Sequence, residues 1–321
     1  MPEVTEDTFL GDIISSDGKN TKNIKSRISK GIGIVTNIFN LLESISLGPY
    51  IFKVALLLRE SMLINGSLTN AEIWYNLSNK EIKELENLDK LFFRKLLEVP
   101  TTTPSVSFYL ELGVVPISVV IKQRRLNYLH HLLTRKSDSM LYSFFITQWQ
   151  NPTKGDWTEQ VQVDLLDFNI PCSFSYIQSM TKESFKLLVK TKAKSYALEL
   201  LLNKKITHSK MKKLDYTDLE IQNYFLETNL KPDEIRTIFK YRTRMEKFGE
   251  NFRAGKDRIM CPMCNSHLDN QELSLQCPVL KTANIPEVHN CDMEEIYKHN
   301  ISTATIKTIY RITQFRKENL Q

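Results

Sequence analysis

The sequence is short of everything that interrupts regular structure. It has 10 glycines and 11 prolines in 321 residues, which leaves little room for long flexible linkers. No run of about 18 uninterrupted apolar residues occurs, so no membrane-spanning helix is expected. The opening residues, MPEVTEDTF, are acidic and contain no hydrophobic segment. The expectation is therefore no signal peptide, no membrane association and an intracellular location, cytoplasmic or nuclear. Internal repeats, low-complexity tracts, a Gly-rich phosphate loop, a nucleophile motif and a conventional catalytic metal cluster are also missing, which argues against an independent enzyme. Cysteine is scarce and uneven: there are 5, four of them between positions 261 and 291. An odd count crowded at one end is not a disulfide framework and points to a metal site or free thiols.

What is present is helical periodicity. Near the start, Phe9 to Ile14 has strand character and Ser15-Ser16-Asp17-Gly18 is a turn signal. No later stretch offers this strand an obvious partner. From Lys22 onward, Ile24, Ile28, Val35, Phe39 and Leu42 recur at helical steps. The apolar segment from Tyr50 to Gly66 reads as a buried core helix. Ile82, Leu85, Leu88, Phe92 and Leu96 form one face of a further helix, ended by the Pro100–Pro104 cluster, and another follows Pro116. Positions 137 to 180 are less regular, with turn markers at Pro152, Lys154-Gly155 and Asn169–Cys172, and a domain boundary is expected there. Helices are expected from Thr181 to about Asn203, from Lys231 to Glu246, and from Thr303 to about Phe315. The chain is read as mostly α.

The net charge is +6, 43 basic minus 37 acidic residues, and its placement matters more than its size. Lys182, Lys186, Lys190 and Lys194 fall four apart on one helix, beside an apolar stripe of Phe185, Val189, Tyr196 and Leu200. A second basic stripe comprises Arg124, His131 and Arg135. The third, Arg236, Lys240, Arg244 and Lys247, runs towards the cysteines, with Tyr241, Phe248 and Phe252 interleaved where they could stack on bases; Phe248 and Phe252 read equally as core residues. Such rows can track a phosphate backbone; the plainer reading of each is a solvated helix face. Adjacent His130 and His131 read as one packed and one surface residue.

Cys261 and Cys264 form a C-x2-C knuckle suited to one tetrahedral Zn²⁺, with Cys277 the natural third ligand. The fourth stays open among His267, Glu272, His289 and Cys291. The alternative is a degraded site whose cysteines are now small hydrophobes.

These motifs, in this order, resemble the C-terminal part of reverse transcriptases of non-LTR (LINE-type) retrotransposons. Phe9-Leu10-Gly11-Asp12-Ile13-Ile14-Ser15-Ser16-Asp17-Gly18 is similar to that family's final palm strand and turn, and Ile24, Arg27, Lys30 and Gly31 to the helix after it. Ala55-Leu56, Arg59, Ser61, Asn65, Leu68, Glu72 and Trp74 resemble a stretch of its helical thumb. The segments RKLLEVP and LELGVVPI resemble the later thumb and connection. The family's terminal knuckle places a histidine where Glu272 stands here.

The resemblance implies a palm remnant over 1–19, a helical thumb/connection over 20–136, a helical linker over 137–230, and a basic helix plus zinc-knuckle-like module over 231–321. It implies that the fingers and most of the palm lie outside this sequence. The family's paired catalytic aspartates lie there too, and the sequence contains no Asp-Asp pair. Neither polymerase activity nor a catalytic Mg²⁺ site is then expected of this chain. The implied partners are RNA, RNA–DNA hybrid or DNA, held through backbone contacts, and a separate palm/fingers segment. The alternative is an inert relic or a refitted structural or protein-interaction domain without a nucleic-acid role.

Overall fold

A computed structural model describes residues 5–9, 12–151, 153–252, 259–283 and 293–319. The chain is mostly helical, with a two-stranded sheet at its start and a cysteine cluster near its end. Strand β1 (Glu6–Phe9) pairs antiparallel with β2 (Asp12–Ser15), Glu6 opposite Ser15 and Phe9 opposite Asp12. The single strand expected from Phe9 to Ile14 is thus a hairpin, and β2 finds its partner in the residues just before it. Leu10 and Gly11 lie outside the described residues. Antiparallel strands need only a two-residue connection, so a local partner suffices where no distant one exists.

The helices are α1 (Thr21–Ser44), α2 (Ile51–Leu58), α3 (Asn65–Ser67), α4 (Asn79–Leu97), α5 (Ser105–Leu112), α6 (Ile117–Leu133), α7 (Met140–Gln150), α8 (Trp157–Asp167) and α9 (Phe174–Gln178). They continue as α10 (Lys182–Ile206), α11 (Pro232–Arg242), α12 (Gly249–Phe252), α13 (Pro278–Thr282) and α14 (Thr303–Asn319). A π-helical turn, Arg59–Ile64, links α2 to α3 inside the segment read as one core helix. The region from 137 to 180 holds three helices, and its turn markers fall between them. Each is started by a side-chain cap: Ser139 accepts from Tyr142 N, Asp156 from Glu159 N and Ser173 from Tyr176 N. No single described helix is long and apolar enough to cross a membrane.

The chain divides into two compact units, each discontinuous in sequence. The first comprises residues 1–41, 57–92 and 115–200, and the second residues 42–56, 93–114 and 201–321.

In the first unit, Ile24, Leu68, Trp74, Leu85, Leu88 and Ile117 pack into one core. A capping box starts α4: Ser78 N donates to Glu81 Oε2 at 2.8 Å, and Glu81 N to Ser78 Oγ at 3.3 Å. The hairpin is anchored through Asp12, whose carboxylate accepts from Arg27 at 2.6 Å, from Asn23 at 3.0 Å and from Asn70. Burial alone would raise the Asp12 pKa; the hydrogen bonds from Arg27, Asn70 and Asn23 outweigh it and hold the carboxyl below its ordinary value. Several residues of the stretch 55–74 have structural tasks here. Arg59 makes a two-pronged pair with buried Asp89 at 2.8 and 2.7 Å. The carbonyl of Trp74 accepts from Arg125, which also pairs with Asp164 at 2.6 Å. The carbonyl of Glu72 accepts from Trp157 Nε1 at 2.8 Å.

In the second unit the core is aromatic, with Phe108 stacked on Phe239 and Phe52 edge-on to Phe225. Its centre is polar. Glu111, fully buried, accepts from Arg242 Nε at 2.9 Å to both oxygens, from Tyr216 at 2.5 Å and from Tyr224 at 2.7 Å. Arg242 directs Nη1 at the carbonyls of Ile296 and Lys298, and Nη2 at Gln222 Oε1 from 3.5 Å. With every oxygen and most donors satisfied, this buried pair is tolerable in low dielectric. Gly113 ends α5 at φ +63°, where any Cβ would stand 2.2 Å from the backbone nitrogen of Ile221; only glycine lets the two segments meet.

Candidate functional site

The cysteine cluster is built from a tight clip. Met260 and Leu268 form an antiparallel bridge, Cys261 N donates to His267 O at 2.6 Å, and Asp269 N to Ile259 O at 2.7 Å. Asn265, at φ +51°, turns the chain after Cys264 while its N–H bonds Cys261 O at 2.8 Å. Asparagine tolerates this left-handed geometry better than most residues. Cys277 sits immediately before Pro278 at the start of α13. The three sulfurs lie within 4.8 Å of one another. Tetrahedral thiolate ligands about 2.3 Å from a metal stand roughly 3.8 Å apart, so the set can hold a metal ion with small side-chain adjustment.

The surroundings are organised around that set. Leu280, Ile312 and Phe315 pack against it. Arg316 of α14 pairs with Asp269 at 2.6 Å, lies over the Phe248 ring at 4.5 Å and points a guanidinium nitrogen at Cys261 Sγ from 3.9 Å. Asp269 also accepts from Gly249 N at 2.7 Å. A Cβ at Gly249 would meet Ile259 at 2.6 Å, so this close approach needs glycine. Burial pushes the Cys277 thiol up to about 11. Burial opposes ionisation of Cys264 too, but hydrogen bonds from the Ser266 backbone and from Cys277 and Cys261 hold it below the ordinary thiol value.

No fourth ligand joins the cluster among the described residues. His267 contributes its carbonyl to the clip, and its ring is not with the sulfurs. Glu272, another of the candidate fourth ligands, is an ion-pair residue here. Its carboxylate is held by Arg244 and lies 3.5 Å from Lys213. These pairs draw Glu272 away from the cysteines. The remaining candidates, His289 and Cys291, lie outside the described residues.

The third basic stripe is broken by the end of α11. The helix stops at Arg242 rather than Glu246 because the chain closes a Schellman motif: Met245 N donates to Lys240 O at 2.7 Å and Arg244 N to Tyr241 O at 3.1 Å. Arg244 occupies the left-handed position, φ +54°, usually taken by glycine. It thereby leaves the face shared by Arg236 and Lys240 and reaches Glu272. Arg236 is bonded to Leu96 O at 3.1 Å and paired with Glu98 and Asp233, both at 3.0 Å. Lys240 is half-buried and Lys247 exposed. Tyr241 and Phe248 are buried edge-to-face at 5.5 Å, so neither is open to a base. The Phe252 side chain lies outside the described residues.

In the first unit, α10 buries Phe185, Val189, Ala193 and Ala197 at strict four-residue spacing; Tyr196 and Leu200, expected in this stripe, are only half-buried. On the other side Lys182, Lys186 and Lys190 are exposed, and Lys194 is half-buried. Among the described residues the three exposed lysines make no hydrogen bond or ion pair. On α6, His130 is buried, stacks on Phe185 and bonds Met180 O at 3.0 Å. His131 is exposed and lies 2.9 Å from Arg135 Nη2. Burial lowers the His131 pKa, and the charges of Arg135 and Lys182 act in the same direction. Arg124 is turned inward, donating to Leu68 O at 2.5 Å and Asn65 Oδ1 at 2.7 Å.

No protein family, curated protein or solved structure matches the chain.

Proposed function

We propose that the chain is a non-catalytic nucleic-acid-binding segment of the LINE-type reverse-transcriptase kind, gripping RNA, RNA–DNA hybrid or DNA by the sugar–phosphate backbone. One observation carries the reading. Lys182, Lys186 and Lys190 stand exposed and unengaged in a row along α10, and in the same unit His131 and Arg135 are exposed too. Residues four apart on a helix are separated by about 6 Å along its axis, so the row presents a ladder of ammonium groups. Contacts of this kind fix position without reading sequence, and the binding is therefore sequence-tolerant and strongly salt-dependent.

Zinc is the metal we assign to Cys261, Cys264 and Cys277, because clustered thiolates from a C-x2-C turn suit a soft, tetrahedral ion. Bound there, it cross-links the clip at 259–269 to the start of α13. The role is structural: the surroundings are apolar apart from the Arg316–Asp269 pair.

The test is fluorescence anisotropy with labelled RNA, RNA–DNA hybrid and duplex DNA. All three are expected to bind at about 50 mM salt and weaken steeply as salt rises. A flat salt response, or no binding at low salt, removes the reading. A protein-contact role is the second reading, favoured by α7, which leaves Met140 75% and Phe144 67% exposed one turn apart.

A further inference from the structure

In the second unit a cavity of about 500 Å³ opens between the residues after α4, the end of α11 and the end of α14. This lies within the roughly 300–1,000 Å³ of small-ligand sites. Three lysines line it: Lys240, Lys247 and Lys317. Among the described residues none of the three makes a hydrogen bond or ion pair. Glu246, buried at 8% exposure, lines the same space. Glu98 does too, and it shares Arg236 with Asp233, both at 3.0 Å. The lining charges are therefore three positive against Glu246 and a partly compensated Glu98, an excess between +1 and +2.

The ordinary explanation of lysines at helix ends is that they offset the negative end of the helix dipole. It does not account for Lys240. The Schellman motif already caps the α11 end, since the Lys240 carbonyl receives both Met245 N and Glu246 N. The Lys240 amine has no carbonyl to serve there, yet it is withdrawn from water. Burial lowers its pKa, with Lys317 and Arg236 acting in the same direction against Glu246 and Glu98. A cation kept partly desolvated and unpaired beside an open cavity is completed by an incoming anion.

The geometry points to a binding site for a nucleoside phosphate monoester, either a free mononucleotide or the 5′-phosphate end of a strand. A terminal phosphate carries about −1.5 to −2 charge near neutral pH, which suits the positive excess of the site. A diester within a strand carries only one negative charge. Pro100 and Met245 supply an apolar wall for sugar or base. The Glu246 carboxylate offers an acceptor for a sugar hydroxyl or base amino group. The site lies apart in sequence from the α10 row and does not require the proposed function to hold.

The experiment is competition binding on the full chain. Its probes are adenosine 5′-monophosphate, adenosine, inorganic phosphate, and one short RNA carrying either a 5′-phosphate or a 5′-hydroxyl. The phosphorylated RNA is expected to bind at least tenfold tighter than its hydroxyl twin, and the mononucleotide to compete where adenosine does not. That preference should vanish in Lys240→Met and in Lys317→Gln; Lys317 is exposed, so its variant keeps the fold. The preference should persist when Lys182, Lys186 and Lys190 are neutralised, even as overall affinity falls. Equal binding of the two RNAs would overturn the site while leaving the α10 reading untouched. So would a preference surviving both lysine variants. Inorganic phosphate competing as well as the mononucleotide would overturn the nucleotide assignment.

Discussion

Replacing Lys182, Lys186 and Lys190 together by glutamine tests the proposed backbone grip most directly. Glutamine keeps the helix and most of the side-chain length while removing charge only. Counting Arg135 with the three lysines, the surface neutralises about four phosphates. A duplex ligand then gives a slope of log K against log salt near −3.6, about −0.9 per phosphate. Raising salt fourfold, from about 50 to 200 mM, should therefore weaken binding by roughly 150-fold. With only Arg135 left the slope falls to about −0.9 and the same change costs about fourfold. Anisotropy across a salt series, on wild type and triple variant, measures both slopes. The buried stripe of Phe185, Val189, Ala193 and Ala197 is unaffected, so circular dichroism and melting temperature should not move. A triple variant that keeps the steep slope would refute the reasoning, because the phosphates would have to be met elsewhere.

Other expectations follow from single features. Arg244→Gly should be more stable than Arg244→Ala by about 1 kcal/mol in urea denaturation, since both lose the Glu272 pair but only glycine relieves the left-handed backbone. Arg242→Met, which strands the Glu111 carboxylate in the core, should destabilise by about 3–5 kcal/mol, far more than any exposed lysine change. Cobalt added as a zinc substitute should give a sulfur-to-metal charge-transfer band that disappears in Cys277→Ser; a band unchanged in that variant would remove Cys277 from the ligand set. Because the folded pKa of Asp12 lies below its usual 3.8, the stability it contributes is full above that value and is lost as pH falls through the folded pKa. Amide protection in the hairpin should then fade below about pH 3.8, and Asp12→Asn should abolish that dependence.

How much of this was readable beforehand depended on the range of the interaction. Of the α1 stripe, Ile24, Val35, Phe39 and Leu42 are buried as its period predicts and Ile28 is half-buried, because burial of one helix face repeats locally. Cys261, Cys264 and Cys277 do come together, because the last two lie only 13 positions apart, 277 minus 264, and a short clip closes that distance. The stop of α11 was hidden because the residue at the left-handed position is arginine, not the glycine that normally marks it. The three helices between 137 and 180 were obscured by their shortness, although Ser139, Asp156 and Ser173 advertised their starts. The withdrawal of Glu272 depended on Arg244 and Lys213, and no spacing rule links those positions. Lys317 joining Lys240 and Lys247 at one cavity was equally invisible, since it rests on α11 packing against α14.

The Glu111 network has a consequence for the order in which the chain is made. Tyr216, Tyr224 and Arg242 follow Glu111 by 105, 113 and 131 residues. At the roughly 5–20 residues per second of ribosomal synthesis, that carboxylate waits about 5 to 25 s for its partners. During the wait Phe52, Phe93 and Phe108 exist without Phe225 and Phe239 to cover them. The second unit must therefore close late, on a nascent chain whose aromatic surface is open to chaperones and to other chains, and slowed translation between positions 114 and 201 should lengthen that window without changing the finished fold.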